Sequence, residues 1–440
     1  MVLFKWENVV YGKGVSSLNN KKENIRKWIT FIILTLGAGT IYKLCFLKDA
    51  FYGPMQEYLG LTHTQLGNAM SISGTVTTIG FIAAVWLSDR VSKRILLPVG
   101  LIGCGLLGLW LATLPSYNEV LIIWALFALT NDMVFWPVLL KCVKSLGSKE
   151  EQGRMFGYFE ASRGLVDTLV AFAALGIFAY FGSGKAGFIN SILFYSITVI
   201  VVGVLAFFFI EDDKKTETVD GKEGKKAKVS PMVALKTKEI WLAAFTTFFV
   251  YAVFCGITYF IPFLENIYAL PVALVGAYGV INQYGLKMVG GPIGGYLADK
   301  KFHSPAKYLR AAFIACIAVL TIMVIAPHNS LNVYLGMTMT LTFGAIVFSM
   351  KATYFAPMGE INISEDITGA AMSIGSFIGC APGMFAYSLY GNILDTHPGL
   401  AGYRMVFMLM MGFAVLGVVV STLLINAIKK NETNLDKQVI

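Results

Sequence analysis

The basic residues of this 440-residue chain are confined to short polar segments, and long apolar stretches separate them. Lys and Arg cluster at 5–27, 90–94, 141–154, 214–238, 300–310 and 429–437. The polar gaps between these clusters contain a single basic residue, Lys185. They lie near 51–64, 114–119, 182–187, 264–271, 326–331 and 391–402. Such alternation follows the positive-inside rule, by which basic loops stay in the cytoplasm. The sequence therefore predicts a polytopic membrane protein with twelve crossings and both termini in the cytoplasm.

Composition agrees with a bilayer environment. Hydrophobic residues make up 56% of the chain and charged residues 14%, whereas soluble proteins carry about 25% charged residues. The formal net charge of +9 is interpreted as loops that face an anionic leaflet, so no nucleic-acid partner is expected. The sequence contains no phosphate-binding lysine loop, no HExxH and no nucleophile elbow, which argues against an enzyme or an ATP-driven pump. The six cysteines form no CxxC pair, so neither a metal nor a cofactor is expected.

Because lipid cannot satisfy an exposed strand edge, the spans are predicted to be helices of roughly 20 residues. The predicted spans are 28–50, 65–88, 95–114, 119–141, 153–181, 187–210, 239–263, 272–298, 307–326, 332–355, 368–390 and 403–427. The fold class is thus an all-α membrane protein with two bundles of six helices. The predicted regions are an N-terminal tail at 1–27, bundles at 28–210 and 239–427, a charged cytoplasmic linker at 211–238, and a C-terminal tail at 428–440.

The two halves contain a weak internal repeat. LGLTHTQLG at 59–67 is followed by LSDR at 87–90, and LPVALVG at 270–276 is followed by LADK at 297–300. The two copies are offset by about 210 residues, and each places an acid–base pair at the end of the second helix of its half. Parallel repeats of this kind are a transporter architecture, with the substrate site between the halves near the midplane.

With these features the chain resembles the major facilitator superfamily over essentially its whole length. That family carries the loop pattern G-x-x-x-D-R/K-x-G-R-K after its second helix and a weaker copy after the eighth. The first copy here reads VWLSDRVSKR, in which Asp89, Arg90, Lys93 and Arg94 match, while Val85 and Ser92 replace the preferred glycines. The second copy reads GYLADK, in which Gly295, Asp299 and Lys300 match.

The resemblance implies alternating access by two rocking bundles, and it does not name a substrate. It also implies a gating role for the loop residues, namely Asp89, Arg90, Arg94, Asp299 and Lys300. The Gly-Pro pair that the family's antiporters carry in the fifth helix is absent here, which argues against a drug exporter.

Charged residues at bilayer depth are costly, so they are expected to face the bundle interior and to serve function. Glu160, Arg163 and Asp167 share one face of the fifth helix, and Arg163 lies near the midplane. Lys43 and Lys287 also fall within the hydrocarbon region, whereas Lys48, Asp49 and Lys351 near helix ends are expected at the membrane interface. The predicted substrate-binding residues are Lys43, Trp136, Arg163, Tyr251, Tyr259, Asn282, Gln283 and Lys287. The predicted proton-coupling acids are Asp132, Glu160 and Asp167.

Basic residues at depth favour an anionic substrate, since each can donate charge-assisted hydrogen bonds to a carboxylate, phosphate or sulfonate. We therefore expect a plasma-membrane secondary transporter of a small organic anion, driven by protons or a counter-substrate and acting as a monomer. A neutral sugar or nucleoside symporter and a drug exporter are alternatives within the class. A sensor that does not transport is the alternative from a different class.

Overall fold

The computed structural model describes residues 25–146, 152–210, 231–361 and 365–439, and every element within these ranges is helical. The tail at 1–24 and the linker residues 211–230 lie outside the described residues. The rest of the predicted linker, 231–238, holds the short helix Pro231–Lys236 and the first residue of the next long helix.

Twelve long helices, numbered α1 to α12, make up the described chain. They are α1 Ile25–Leu59, α2 His63–Arg90, α3 Lys93–Leu111, α4 Tyr117–Ser145, α5 Gln152–Tyr180, α6 Lys185–Phe209, α7 Lys238–Tyr268, α8 272–301, α9 Pro305–Ile325, α10 Val333–Thr353, α11 365–396 and α12 Leu400–Val439. Ten of them are long and apolar enough to span a bilayer, and α2 and α8 complete the set in the described ranges. The predicted number and order of helices are confirmed, although α1 continues to Leu59 rather than ending at residue 50.

The second helix of each half begins at an equivalent position of the repeat. Thr62 forms the predicted capping box with Gln65, because the Thr62 hydroxyl accepts from the Gln65 amide and the Gln65 side chain accepts from the Thr62 amide. Pro271 occupies the N-cap of α8, where its missing N–H costs nothing. The Thr62 cap satisfies an amide that would otherwise be unpaired at the start of α2, whereas Pro271 forms no side-chain cap bond.

The halves meet through helices that the repeat relates. Within the first half α3 packs on α6, and within the second α9 packs on α12. Between the halves α2 packs against α11 and α5 against α8, while α1 contacts α7 and α8. Since the repeat pairs α2 with α8 and α5 with α11, the two main contacts are related by a pseudo-twofold axis. The interface that surrounds a central site is therefore built twice from the same pattern.

Irregular backbone lies near the middle of several helices, among them α1, α7 and α8, which face this interface. The α1 helix is interrupted between Cys45 and Lys48, and its repeat equivalent α7 tightens into a 3-10 turn at Ile257–Tyr259. The α4 helix widens into a π-helix at Leu129–Phe135, and α8 does so at Ile281–Gly285. Non-helical backbone at membrane depth is tolerated where protein buries it or where it lines a cavity. The breaks in α1, α7 and α8 locate the candidate site, whereas the π-helix of α4 packs within the first half.

Candidate functional site

A cavity of about 760 Å³ lies between the two halves, walled by α1, α5, α7, α8, α10 and α11. Its polar and charged lining consists of Lys48, Asp49, Glu160, Arg163, Asp167, Thr258, Gln283, Tyr284, Lys287, Lys351, Tyr354 and Tyr387. Along α8 the lining runs from Gln283 to Pro292, a rise of about 14 Å. The cavity is thus a deep pocket of a size that suits a small organic molecule.

The cavity extends toward one end of the bundle. We call the end that holds the loop at 90–94 and the end of α8 at residue 301 the basic end. The lining residues Gly157 and Pro292 lie on that side, whereas the opposite end is closed by contact between the halves. There the backbone of Gly279 packs against the Asp49 carbonyl, and Asp395 of α11 accepts from the amides of His63 and Thr64.

Five of the residues predicted from sequence line this cavity together, namely Glu160, Arg163, Asp167, Gln283 and Lys287. The Arg163 guanidinium lies 3.1 Å from a Glu160 carboxylate oxygen. It also lies 4.8 Å from the centre of the Trp136 ring, which fixes it by a cation–π contact. Arg163 is therefore charge-balanced within its own helix before any ligand arrives.

Lys43 and Asp167 form a buried ion pair behind the cavity wall. Lys43 Nζ lies 2.7 Å from Asp167 Oδ1, and the two side chains are 1% and 6% exposed. The same ammonium lies 3.3 Å from the centre of the Tyr284 ring on α8. Lys43 does not itself line the cavity, while Asp167 contributes to the wall. The pair joins α1 to α5 and, through Tyr284, to the other half.

Trp136 and four other predicted residues also lie away from the cavity surface. Asp132 accepts hydrogen bonds from Tyr42 at 2.8 Å and from Thr77 at 2.7 Å, which ties α4 to α1 and α2 inside the first half. Tyr259 is buried and donates to a backbone carbonyl of α11, and Asn282 is buried without a hydrogen-bond partner among the described residues. Tyr251 stands behind Lys351, at 5.2 Å from its ammonium.

The expectation that Lys48 and Asp49 lie at the membrane interface is wrong. Both are buried in the cavity wall, where Lys48 Nζ donates to Asp49 Oδ1 at 2.7 Å and to Thr258 Oγ1 at 2.8 Å. The reason is the break after Cys45, beyond which α1 continues to Leu59 and carries both residues toward the middle of the protein.

Lys351 lies near the end of α10, as the sequence indicated, but it also belongs to the cavity wall. Its side chain points into the cavity, and Nζ lies 3.3 Å from the centre of the Phe254 ring on α7. Lys351 is only two residues from the end of α10, but the cavity reaches that level. The sequence shows where Lys351 lies along α10, but it does not show that the cavity extends to Lys351.

Two lysines of the cavity lack an acidic partner. Lys48 is paired with Asp49, Lys43 with Asp167, and Arg163 with Glu160. Among the described side chains no carboxylate forms a salt bridge with Lys287 on α8 or Lys351 on α10, and both line the cavity. Lys287 is solvent-exposed and Lys351 is half-buried. The second half therefore presents two uncompensated positive charges to whatever enters.

The residues of the family loop pattern lie at the basic end. Arg90, Arg94, Asp299 and Lys300 are exposed there, and Arg94 lies 5.8 Å from the Phe207 ring. The Asp89 side chain is outside the described residues, so the gating role expected for it stays a prediction.

Comparison with known proteins agrees with this architecture. The sequence profile of the Major Facilitator Superfamily matches residues 49–387, and the chain belongs to that family. The inner membrane protein YihN of Escherichia coli is 55% identical over 409 residues, covering 92% of this chain and 97% of that protein. A hexose-6-phosphate:phosphate antiporter of Salmonella typhimurium is 24% identical over 422 residues, covering 86% of each chain.

Among solved structures, a bacterial homologue of the human lysosomal transporter Spinster, in an inward-facing and unoccupied conformation, superposes with a TM-score of 0.73. It is 14% identical and covers 92% of this chain and 98% of that chain, so it shows the fold alone. The protein is a multi-pass inner-membrane secondary transporter of the major facilitator fold and not an enzyme.

Proposed function

We propose that this transporter carries a small organic anion, by alternating access, in exchange for a counter-substrate or together with protons. The observation that carries the proposal is the pair of lysines, Lys287 and Lys351, that face the central cavity without an acidic partner among the described residues. When the cavity closes and water leaves, an ammonium in its wall is costly unless an anion accompanies it. A carboxylate, phosphate or sulfonate would supply that partner through charge-assisted hydrogen bonds.

The rest of the wall suits an organic body beside the charged group. Gln283, Tyr284 and Thr258 offer neutral hydrogen-bonding groups, and Phe254 and Phe348 offer apolar surface. The relative from Salmonella is named for exchange of a hexose phosphate against phosphate, and both of these are anions. The similarity to that relative supports an anionic cargo here, but it does not identify the cargo as a hexose phosphate.

Loading a neutral cargo would leave both ammonium groups unpaired, which is the physical argument against the sugar or nucleoside alternative. Closing the cavity around such a cargo would remove water from the two lysines without supplying a negatively charged partner. Desolvating an unpaired charge is expensive in a protein interior.

The proposal is tested by a thermal-shift screen of metabolites on the purified full chain, followed by titration of each hit. Anions are expected to raise the unfolding temperature more than their neutral analogues, because they bind the folded state through the lysines. In Lys287→Gln we expect affinity to fall about 30-fold or more, since losing a charge-assisted partner at a desolvated site costs about 2–5 kcal/mol.

Lys185→Gln is the matched control, because it removes the same charge from an exposed position at the start of α6. It should bind the hit like the parent protein. A hit that proves uncharged, or a folded Lys287→Gln that binds an anionic hit undiminished, would contradict the proposal.

A further inference from the structure

The Tyr284 ring on α8 covers a buried ammonium group that belongs to the other half. Lys43 Nζ of α1 lies 3.3 Å from the centre of that ring and 2.7 Å from Asp167 Oδ1 of α5. Tyr284 contributes to the cavity wall, whereas Lys43, which is 1% exposed, does not. The second half therefore supplies a side chain that shields an ion pair of the first half from the cavity.

A second contact joins Tyr284 to the first half. Its hydroxyl lies 3.5 Å from Asp49 Oδ2, and the other oxygen of that carboxylate accepts from Lys48 at 2.7 Å. The hydroxyl contact is at the limit of a hydrogen bond, so the ring contact with Lys43 is the stronger of the two. Tyr284 lies in the π-helix Ile281–Gly285, and such turns are rare and frequent at functional sites.

Opening the end opposite the basic end must withdraw this ring. That end is closed in part by the backbone of Gly279 against the Asp49 carbonyl, and Gly279 lies five residues before Tyr284 on the same helix. The two positions are about 7–8 Å apart along α8. A movement of α8 that separates Gly279 from α1 therefore also separates Tyr284 from Lys43, and water can then reach the ammonium.

The position of the ring determines which form of Asp167 is favourable. While Tyr284 covers Lys43, the ammonium needs the ionised carboxylate, since an unpaired charge in a protein interior is strongly unfavourable. Once the ring has withdrawn, water solvates Lys43, and Asp167 can take up a proton from the cavity. When the ring returns, that proton leaves Asp167 for water at the basic end, because Asp167 lines the cavity that opens there.

Resting on the proton-driven form of the function proposed above, we propose that Tyr284 is a positioning residue that links the protonation of Asp167 to the end at which the cavity is open. Each cycle takes a proton from the side opposite the basic end and delivers it at the basic end. The other charged or titratable groups near the pair are Asp49 on α1, Arg163 on α5, Tyr195 on α6 and Lys287 on α8. Asp49, the one carboxylate among these four, is already paired with Lys48, so it does not replace Asp167.

The test needs no cargo, because the inference links a proton to a conformation. Distances between spin labels on the loops near residues 114 and 326 are measured on the purified full chain at pH 8 and at pH 5. Acid favours the protonated Asp167 and hence the withdrawn ring. In the parent, the ratio of the conformation open at the end opposite the basic end to the one described here should therefore rise about fivefold or more.

Two substitutions separate the ring of Tyr284 from its hydroxyl. Tyr284→Phe keeps the ring over Lys43 and should keep the parent's response to pH. In Tyr284→Leu the ring is missing in both conformations, so the same change of pH should leave the ratio unchanged. Tyr296→Leu is the matched control, because it removes an exposed tyrosine from the same helix, and it should respond like the parent.

The variant with both Lys43→Met and Asp167→Leu lacks the pair and should not respond to pH. It tests the inference independently of whether Tyr284→Leu folds. A response that persists in this variant would overturn the inference and assign the titration to other groups, such as His63 at the closed end.

A parent that does not respond to pH would overturn the inference as well. An equal response in Tyr284→Leu and the parent would do the same, even if their ratios differ at every pH, since a purely structural contact gives that result. These outcomes remove the link to protons and leave the exchange of anions standing. Failure of the anion function is a separate result, because it is read from the metabolite screen.

Discussion

Lys43 and Asp167 are the most deeply buried ion pair in the described protein, and they show how one residue can serve stability and function together. The contact between them is 2.7 Å long, and only Asp167 reaches the cavity wall. Breaking such a pair by removing one partner strands the other charge in a medium that solvates it poorly. A proton delivered to Asp167 from the cavity would have the same effect.

We therefore expect Asp167→Asn to destabilise the protein by about 3–5 kcal/mol, because Lys43 loses its counter-charge. The double variant Lys43→Met with Asp167→Leu should recover most of that loss, since it removes both charges and keeps the volume. Thermal unfolding of the purified variants measures this. A single variant as stable as the parent would show that the pair contributes nothing to folding.

The double variant also separates the two roles of Asp167. If Asp167 takes up the coupling proton, the recovered protein should bind its substrate and lose accumulation driven by a pH gradient. Full accumulation by the double variant would assign the pair to structure alone and return proton coupling to Glu160 or Asp132.

For individual residues, the sequence was a good guide to which side chains are charged within the helices and a poor guide to their partners. Glu160 and Arg163 were predictable as neighbours because three residues separate them on one helix. The Lys43–Asp167 contact was not, since it depends on how α1 and α5 are packed and rotated. The place of Lys351 in the cavity wall was missed for the same reason, because it depends on how α7 and α10 pack.

Among the helices, the start of α2 is held by a residue from the other half. Asp395 of α11 accepts from the backbone amides of His63 and Thr64 and from the Thr64 hydroxyl. The first amides of a helix have no partner within it, and a carboxylate there also interacts favourably with the helix dipole. Asp395 thus completes the cap of α2. It can do so only in the conformation described here, in which the halves meet at the end opposite the basic end.

Opening that end requires these bonds to break, so Asp395 should favour the conformation described here. We expect Asp395→Asn to shift the population toward the conformation in which the end opposite the basic end is open. The reason is that hydrogen bonds to a charged group contribute about 1.5–3 kcal/mol. Distances between spin labels on the loops near residues 114 and 326 would measure the shift.

Glu119→Gln is the matched control for this experiment. Glu119 accepts from the Ser116 amide at 2.8 Å and caps α4 in the same way, but both residues belong to the first half. Its loss should leave the distribution of conformations unchanged. A shift of equal size in both variants would mean that helix capping in general, and not the bond between halves, sets the equilibrium.

The helices themselves were predictable, and their interruptions were not. Twelve hydrophobic stretches separated by charged loops define the spans because the bilayer fixes their length. The π-helix at Leu129–Phe135 and the break after Cys45 carry no comparable signal in the sequence. These interruptions place the site residues, which is why the site was predicted less well than the fold.

For the whole molecule, the orientation in the membrane remains a prediction that follows from the basic clusters. Single cysteines placed in the linker at 214–228 should be labelled only from the cytoplasmic side, and a cysteine replacing Lys185 only from the outside. The physical reason is the retention of basic loops on the cytoplasmic side. Labelling of the linker in intact cells by a reagent that cannot cross the membrane would reverse the orientation.

The central claim is that two unpaired lysines make this transporter a carrier of anions, and exchange in proteoliposomes tests it most directly. Vesicles containing the purified protein are loaded with the anion selected by the screen, and entry of the labelled compound is followed. The account predicts rapid exchange by the parent and by Lys185→Gln, and loss of exchange in a folded variant with both Lys287→Gln and Lys351→Gln. Undiminished exchange by that double variant, or exchange of neutral compounds alone, would contradict it.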